Sequence, residues 1–105
     1  MAVIGFGEQD HRAWVAAGWA FRYILDEASK FCRNDADVID TLNLAAAVGY
    51  LQLQFVDVTL ASRITIAIRK VAEAEVNGAR NEFVDDEWQD SWKSSMQELL
   101  TAASA

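Results

Sequence analysis

Carboxylates are the residues of this chain best placed to do chemistry. Between Glu73 and Asp90 there are seven acids (Glu73, Glu75, Glu82, Asp85, Asp86, Glu87 and Asp90) and a single base, Arg80. The local charge of −6 is nearly all of the chain's net −7. Glu82, Asp86 and Asp90 stack at i, i+4, i+8, where like charges disfavour an isolated helix by roughly 0.2–0.5 kcal/mol per pair. Three uses fit the pattern: a solvated face, a docking surface for a basic partner, or a magnesium site on Glu73, Glu82, Asp86 and Asp90, since hard cations take oxygen ligands. Acids near a helix N-terminus also complement its dipole.

The second chemical cluster is aromatic and cationic. Trp19 and Tyr23 fall at i, i+4 beside Arg22 on the more polar side of a helical pattern, and these residue types are enriched at binding hot spots. They are expected to form an interface, with packing under an N-terminal arm or a small-ligand pocket as the other uses. Trp88 and Trp92 lie on a helical stripe with Val84, Ser95, Met96, Leu99 and Ala103, which predicts core.

Other motifs are weaker. Glu8-Gln9-Asp10-His11 places a carboxylate and an imidazole one helical turn apart, but a di-iron bundle needs two such pairs with two further Glu, and the chain has one His. Gly5-Phe6-Gly7 lacks the third glycine of a dinucleotide fingerprint, because position 10 is Asp10. Residues 34–40 lack the glycine and the distant glutamate of a calcium loop. Cys32 is the only cysteine and falls on the helical face of Trp14, Phe21, Leu25 and Ala28, so it is expected to be a small buried hydrophobe. No Ser-His-Asp or Cys-His arrangement is available beyond His11, and no catalytic residue or cofactor is assigned.

The elements that must carry these residues are mostly helices. Proline is absent and there are five glycines in 105 residues, too few turn formers for an all-β domain. One helix is predicted over about 10–31. A stop at Asn34 with a cap at Asp35 or Asp37 precedes a second helix over about 36–55. Asp57 caps a third helix that ends at Asn77-Gly78, and Asn81 a fourth over about 82–102. Residues 2–6 form a short strand or packed arm.

The segment Thr41–Val56 holds sixteen residues without a charge, apolar nearly all round the helical wheel. Such a helix must be covered nearly all round, so it is placed at the centre of the bundle and a homodimer is expected. Within 50–68, Leu51 to Phe55 and Ile64 to Ile68 alternate with period two, which keeps a β-hairpin open. Ala61-Ser62-Arg63 lacks the turn residues that tight hairpins prefer.

The expected architecture is therefore a single-domain (1–105), all-α bundle of about four helices, with α+β and a central hairpin near residues 50–68 as the alternative. Net charge −7 disfavours nucleic acid and anionic membranes. The start has no basic segment before its short apolar run, and polar residues interrupt the central run, so a cytoplasmic location is expected. The function expected is that of a small acidic, non-enzymatic interaction protein, an inhibitor, immunity-type or regulatory factor. It would meet a basic surface through Glu82, Asp85, Asp86, Glu87 and Asp90, with Trp19, Tyr23 and Arg22. The alternatives are a magnesium-dependent helical hydrolase on the same carboxylates and a small-ligand-binding bundle.

Overall fold

The short apolar run Ala2–Gly5 is a strand, buried except at Val3, and it becomes the middle of a small sheet. The computed structural model describes residues 2–6, 13–77 and 86–104, with the backbone alone for 86–89 and 104. Strand β1 (Ala2–Gly5) pairs antiparallel with β2 (Ala13–Ala16) and parallel with β3 (Tyr50–Gln52), giving the order β2-β1-β3. Ile4 lies opposite both Trp14 and Leu51, and this row is buried. The neighbouring row, Val15, Val3 and Tyr50, faces outward, as the period of two requires.

Among the described residues four helices complete a compact, mostly helical fold, about 75% helical. Helix α1 (Gly18–Phe31) buries Ala20, Phe21, Ile24, Leu25 and Ala28. Helix α2 (Ala36–Val48) starts where the Asp35 carboxylate accepts from the Val38 N–H at 3.3 Å. It ends at Gly49, whose φ of 87° lies in the left-handed region that an L side chain rarely adopts. A 3₁₀ turn (Leu53–Phe55) follows β3. Helix α3 (Val58–Val76) is capped by Asp57, which accepts from the Thr59 and Leu60 N–H groups. Helix α4 (Asp86–Ser104) packs most extensively on α3, and α3 also meets α1 and α2.

Two boundaries differ from the sequence expectation, and a third helix forms where it was expected. Residues 13–16 are strand rather than the start of a helix, because Trp14 fills the inner row beside Ile4 while Val15 faces out. Pairing to β1 outweighs local helical preference there. The second helix stops at Val48, where Gly49 turns the chain into β3. Residues 58–76 are helical despite their β-branched content. Ile64, Ala67, Ile68, Val71 and Ala72 are buried at helical spacing, and the Thr65 hydroxyl donates back to the Ala61 carbonyl at 2.8 Å.

The charge-free segment is also not the centre of the molecule. Helix α2 buries Val38, Leu42 and Ala45, whereas Leu44 and Val48 stay exposed. Helix α3 buries residues from Ile64 to Glu75, a longer buried stripe than that of α2. No helix among the described residues is long and apolar enough to cross a membrane.

Candidate functional site

The helical pattern of α3 carries one carboxylate on its buried stripe. Ile64, Ile68, Val71 and Ala72 lead one turn on to Glu75, which is 5% exposed. Among the described residues it is the only buried charged or polar side chain. A carboxylate taken out of water needs hydrogen-bond donors on its oxygens. Two neighbours supply them: the Tyr23 hydroxyl of α1 donates to Oε1, and the Trp92 indole Nε1–H of α4 donates to Oε2 at 3.2 Å.

The aromatic rings enclose this pairing. Trp19 stacks on Trp92 with centroids 5.5 Å apart and planes inclined by 17°, and Tyr23 meets the edge of Trp92 at 5.7 Å and 65°. Offset stacks and edge contacts of this kind contribute about 0.5–1.5 kcal/mol each beyond their buried area. Trp19 and Tyr23 share one face of α1 because they are four residues apart. That face therefore meets α3 and α4 at a single point. The sheet is tied to α4 separately, through the Trp14 indole N–H donating to the Ser95 carbonyl at 3.0 Å.

The residues expected to bind a partner fall into three groups. Trp19, Tyr23 and Arg22 stand together on α1: Trp19 is 46% exposed, Arg22 is exposed, and Tyr23 is half-buried by its bond to Glu75. Asp90 is exposed on α4, two residues before Trp92, and Asp86 and Glu87 open the same helix, where only their backbone is described. Glu82 and Asp85 lie outside the described residues, as do Glu8 and His11.

Of the carboxylates considered for magnesium, Glu73 and Asp90 are exposed, Glu82 lies outside the described residues, and Asp86 is described by its backbone alone. Among the described residues no three His, Cys, Asp or Glu gather as a metal-binding group. Glu75 differs from Glu73 and Asp90, which are exposed: its oxygens accept from Tyr23 and Trp92 in the interior. The sequence carried a signal for this, a carboxylate in register with Ile64, Ile68 and Val71.

Trp92, Met96, Leu99 and Ala103 are buried as their stripe predicts, while Val84 and the Trp88 side chain lie outside the described residues. Cys32 departs from expectation. It is half-buried where the chain turns out of α1, because the helix ends at Phe31 before its face is covered. Burial pushes the Cys32 thiol up from its ordinary pKa, and the nearby Asp35 carboxylate adds to this, against smaller opposing effects of Lys70 and Arg63.

No family model matches this chain, nor does any curated protein or solved structure with which it was compared.

Proposed function

We propose that this chain is a non-enzymatic interaction protein that engages a basic protein surface through its 73–90 segment together with the Trp19, Arg22 and Tyr23 face of α1. The observation that supports this is the stack of Trp19 on Trp92. It joins the aromatic face of α1 to the acid-bearing end of α4, so that a half-exposed tryptophan lies beside the helix that carries Asp86, Glu87 and Asp90. A large aromatic anchor with Arg22 and Tyr23 beside it and acids on the neighbouring helix is the composition of a binding hot spot with an electrostatic rim. Glu75 and Tyr23 hold the anchor in place from within.

The test is affinity capture with the whole chain as bait, repeated with Asp86, Glu87 and Asp90 all changed to Lys and, separately, with Trp19→Ala. A basic partner should be captured by the native bait, be released as salt is raised, and be lost with both variants. A partner retained equally by the native and charge-reversed baits would rule the reading out.

The same reading includes a homodimer formed through the uncharged surface of α2 and its continuation. Leu44 is 66% exposed, Phe55 82% and Val58 84%, and Val48 and Tyr50 are about half exposed. Apolar side chains so concentrated within fifteen residues exceed the scattered exposure that is normal for a monomer. Light scattering should give a dimer mass for the native chain and a monomer mass for Leu44→Lys with Phe55→Lys. A native chain that stays monomeric at tens of micromolar would remove this part of the reading.

A further inference from the structure

At the other end of α1, the turn into α2 lies against the middle of α3 and leaves an open groove of about 730 Å³. Sites for small molecules fall in the range of roughly 300–1,000 Å³. Lys30 and Arg33 line it from the end of α1, and Arg63 and Lys70 from α3. These are four of the nine Lys and Arg of a chain whose net charge is −7. Asp35 and Asp37 also line the groove, so cations outnumber carboxylates there by four to two.

Two of the four cations are already paired. Asp35 caps α2 and forms an ion pair with Arg63. Lys30 pairs with Glu27 at 3.1 Å and Asp26 at 4.0 Å. Among the described residues Arg33 and Lys70 form no ion pair. The Lys70 ammonium instead lies 5.9 Å from the centroid of the Phe31 ring, which places a charge and a flat apolar face side by side. Phe31 is 54% exposed and Ile66 about half exposed, although both are large and apolar.

We propose that this groove binds a small organic anion, a phosphate or carboxylate carried on a flat apolar body. The anion meets Arg33 and Lys70, and the body lies against Phe31 and Ile66. The charge balance of the whole chain selects for a small ligand. A polyanion, or the acidic segment of a second copy, extends across the surface and meets the repulsion of the full −7. A compact anion feels chiefly the cations within a Debye length of it, about 8 Å at physiological salt. An apolar body is needed because inorganic phosphate would leave Phe31 and Ile66 in water.

The test uses the whole chain and phenyl phosphate as the probe, followed by amide chemical-shift titration near 0.15 M salt, with inorganic phosphate and phenol as its two halves. Saturable shifts are expected at residues 30–37 and 63–70, with phenyl phosphate bound about tenfold or more tightly than either half. Removing one charge partner, by Arg33→Gln or Lys70→Met, should weaken it by about tenfold. Both residues are exposed, and unchanged circular dichroism will show that the variants fold. Bound phenyl phosphate should also slow alkylation of Cys32 by neutral iodoacetamide, since Cys32 lines the same groove. Three results each overturn the proposal. One is the absence of saturable shifts at millimolar probe, and another is binding that both variants leave unchanged. The third is shifts at these residues that follow protein concentration without probe and disappear when Asp86 and Glu87 are reversed, which would mean that a second copy fills the groove.

Discussion

The two ends of α1 meet α3 in opposite ways. At Tyr23 the contact is closed: one carboxylate, Glu75, sits in the interior with each oxygen taken by a donor. Eight residues on, about 12 Å along the helix, Phe31 and Lys70 make an open contact in which charge and apolar surface remain at the wall of a groove. The closed end has its polar groups matched one to one and stabilises the fold. The open end leaves Arg33 and Lys70 without an ion pair among the described residues, and unpaired charge of this kind is tolerable only in contact with water or a ligand. The same pair of helices thus provides a structural joint and a candidate binding site, and the difference lies in whether donors and acceptors are paired before any ligand arrives.

Breaking the closed end should give the largest effect. Glu75→Ala leaves the Tyr23 hydroxyl and the Trp92 indole N–H without their acceptor in a buried setting, which is expected to cost about 2–4 kcal/mol. Urea denaturation should show the midpoint fall with the slope unchanged. Tyr23→Phe removes one donor and should cost about 1–2 kcal/mol. In a double-mutant cycle with Glu75→Ala the two losses should be clearly less than additive, because they remove the same bond. Additive losses, or a Glu75→Ala loss below about 0.5 kcal/mol, would show that the carboxylate is not the keystone of the joint, and the contrast between the two ends would collapse.

That contrast was only partly legible in the sequence. The third helix, with its cap at Asp57, could be read directly, as could the buried stripe Trp92, Met96, Leu99 and Ala103, because a cap and a 3.6-residue period are local signals. Of the sheet, only β1 was legible, as one of two uses of the apolar run at residues 2–6. Ala13–Ala16 joins a helix-compatible pattern and becomes a strand only because β1 offers Ile4 as a partner for Trp14. The long uncharged run was read as the centre of a bundle, yet half its apolar residues lie outward, since hydrophobicity alone does not say which element supplies the cover. The pairing of Trp19 and Tyr23 on one face was visible, but their attachment to Glu75 and Trp92 depends on how three helices converge. The basic groove was invisible for the same reason. Its cations come from positions 30, 33, 63 and 70, and only the packing of α1 on α3 assembles them.

The smallest expected effect probes the open end without a ligand, through the one thiol that reports on it. Burial and the Asp35 charge both disfavour the Cys32 thiolate, so its alkylation should titrate above an ordinary cysteine. Asp35→Asn keeps a good helix cap, removes the negative charge and releases Arg63, so the midpoint of the alkylation profile should move down in pH. Lys70→Met removes a charge that favours the thiolate, so the midpoint should move up. A shift in the same direction for both variants would mean that Cys32 senses their packing rather than their charge. The raised pKa also has a sign for stability. The folded chain holds the thiol proton to higher pH than the unfolded chain, so this contribution is fully present below the unfolded thiol's pKa. It is lost as pH rises through the folded value. Asp35→Asn narrows that window by lowering its upper edge and Lys70→Met widens it. Glu75→Ala should leave the alkylation midpoint where it is, because the charges that act on Cys32 are those of Asp35, Lys70 and Arg63, whereas Glu75 is bonded to Tyr23 and Trp92 at the closed contact.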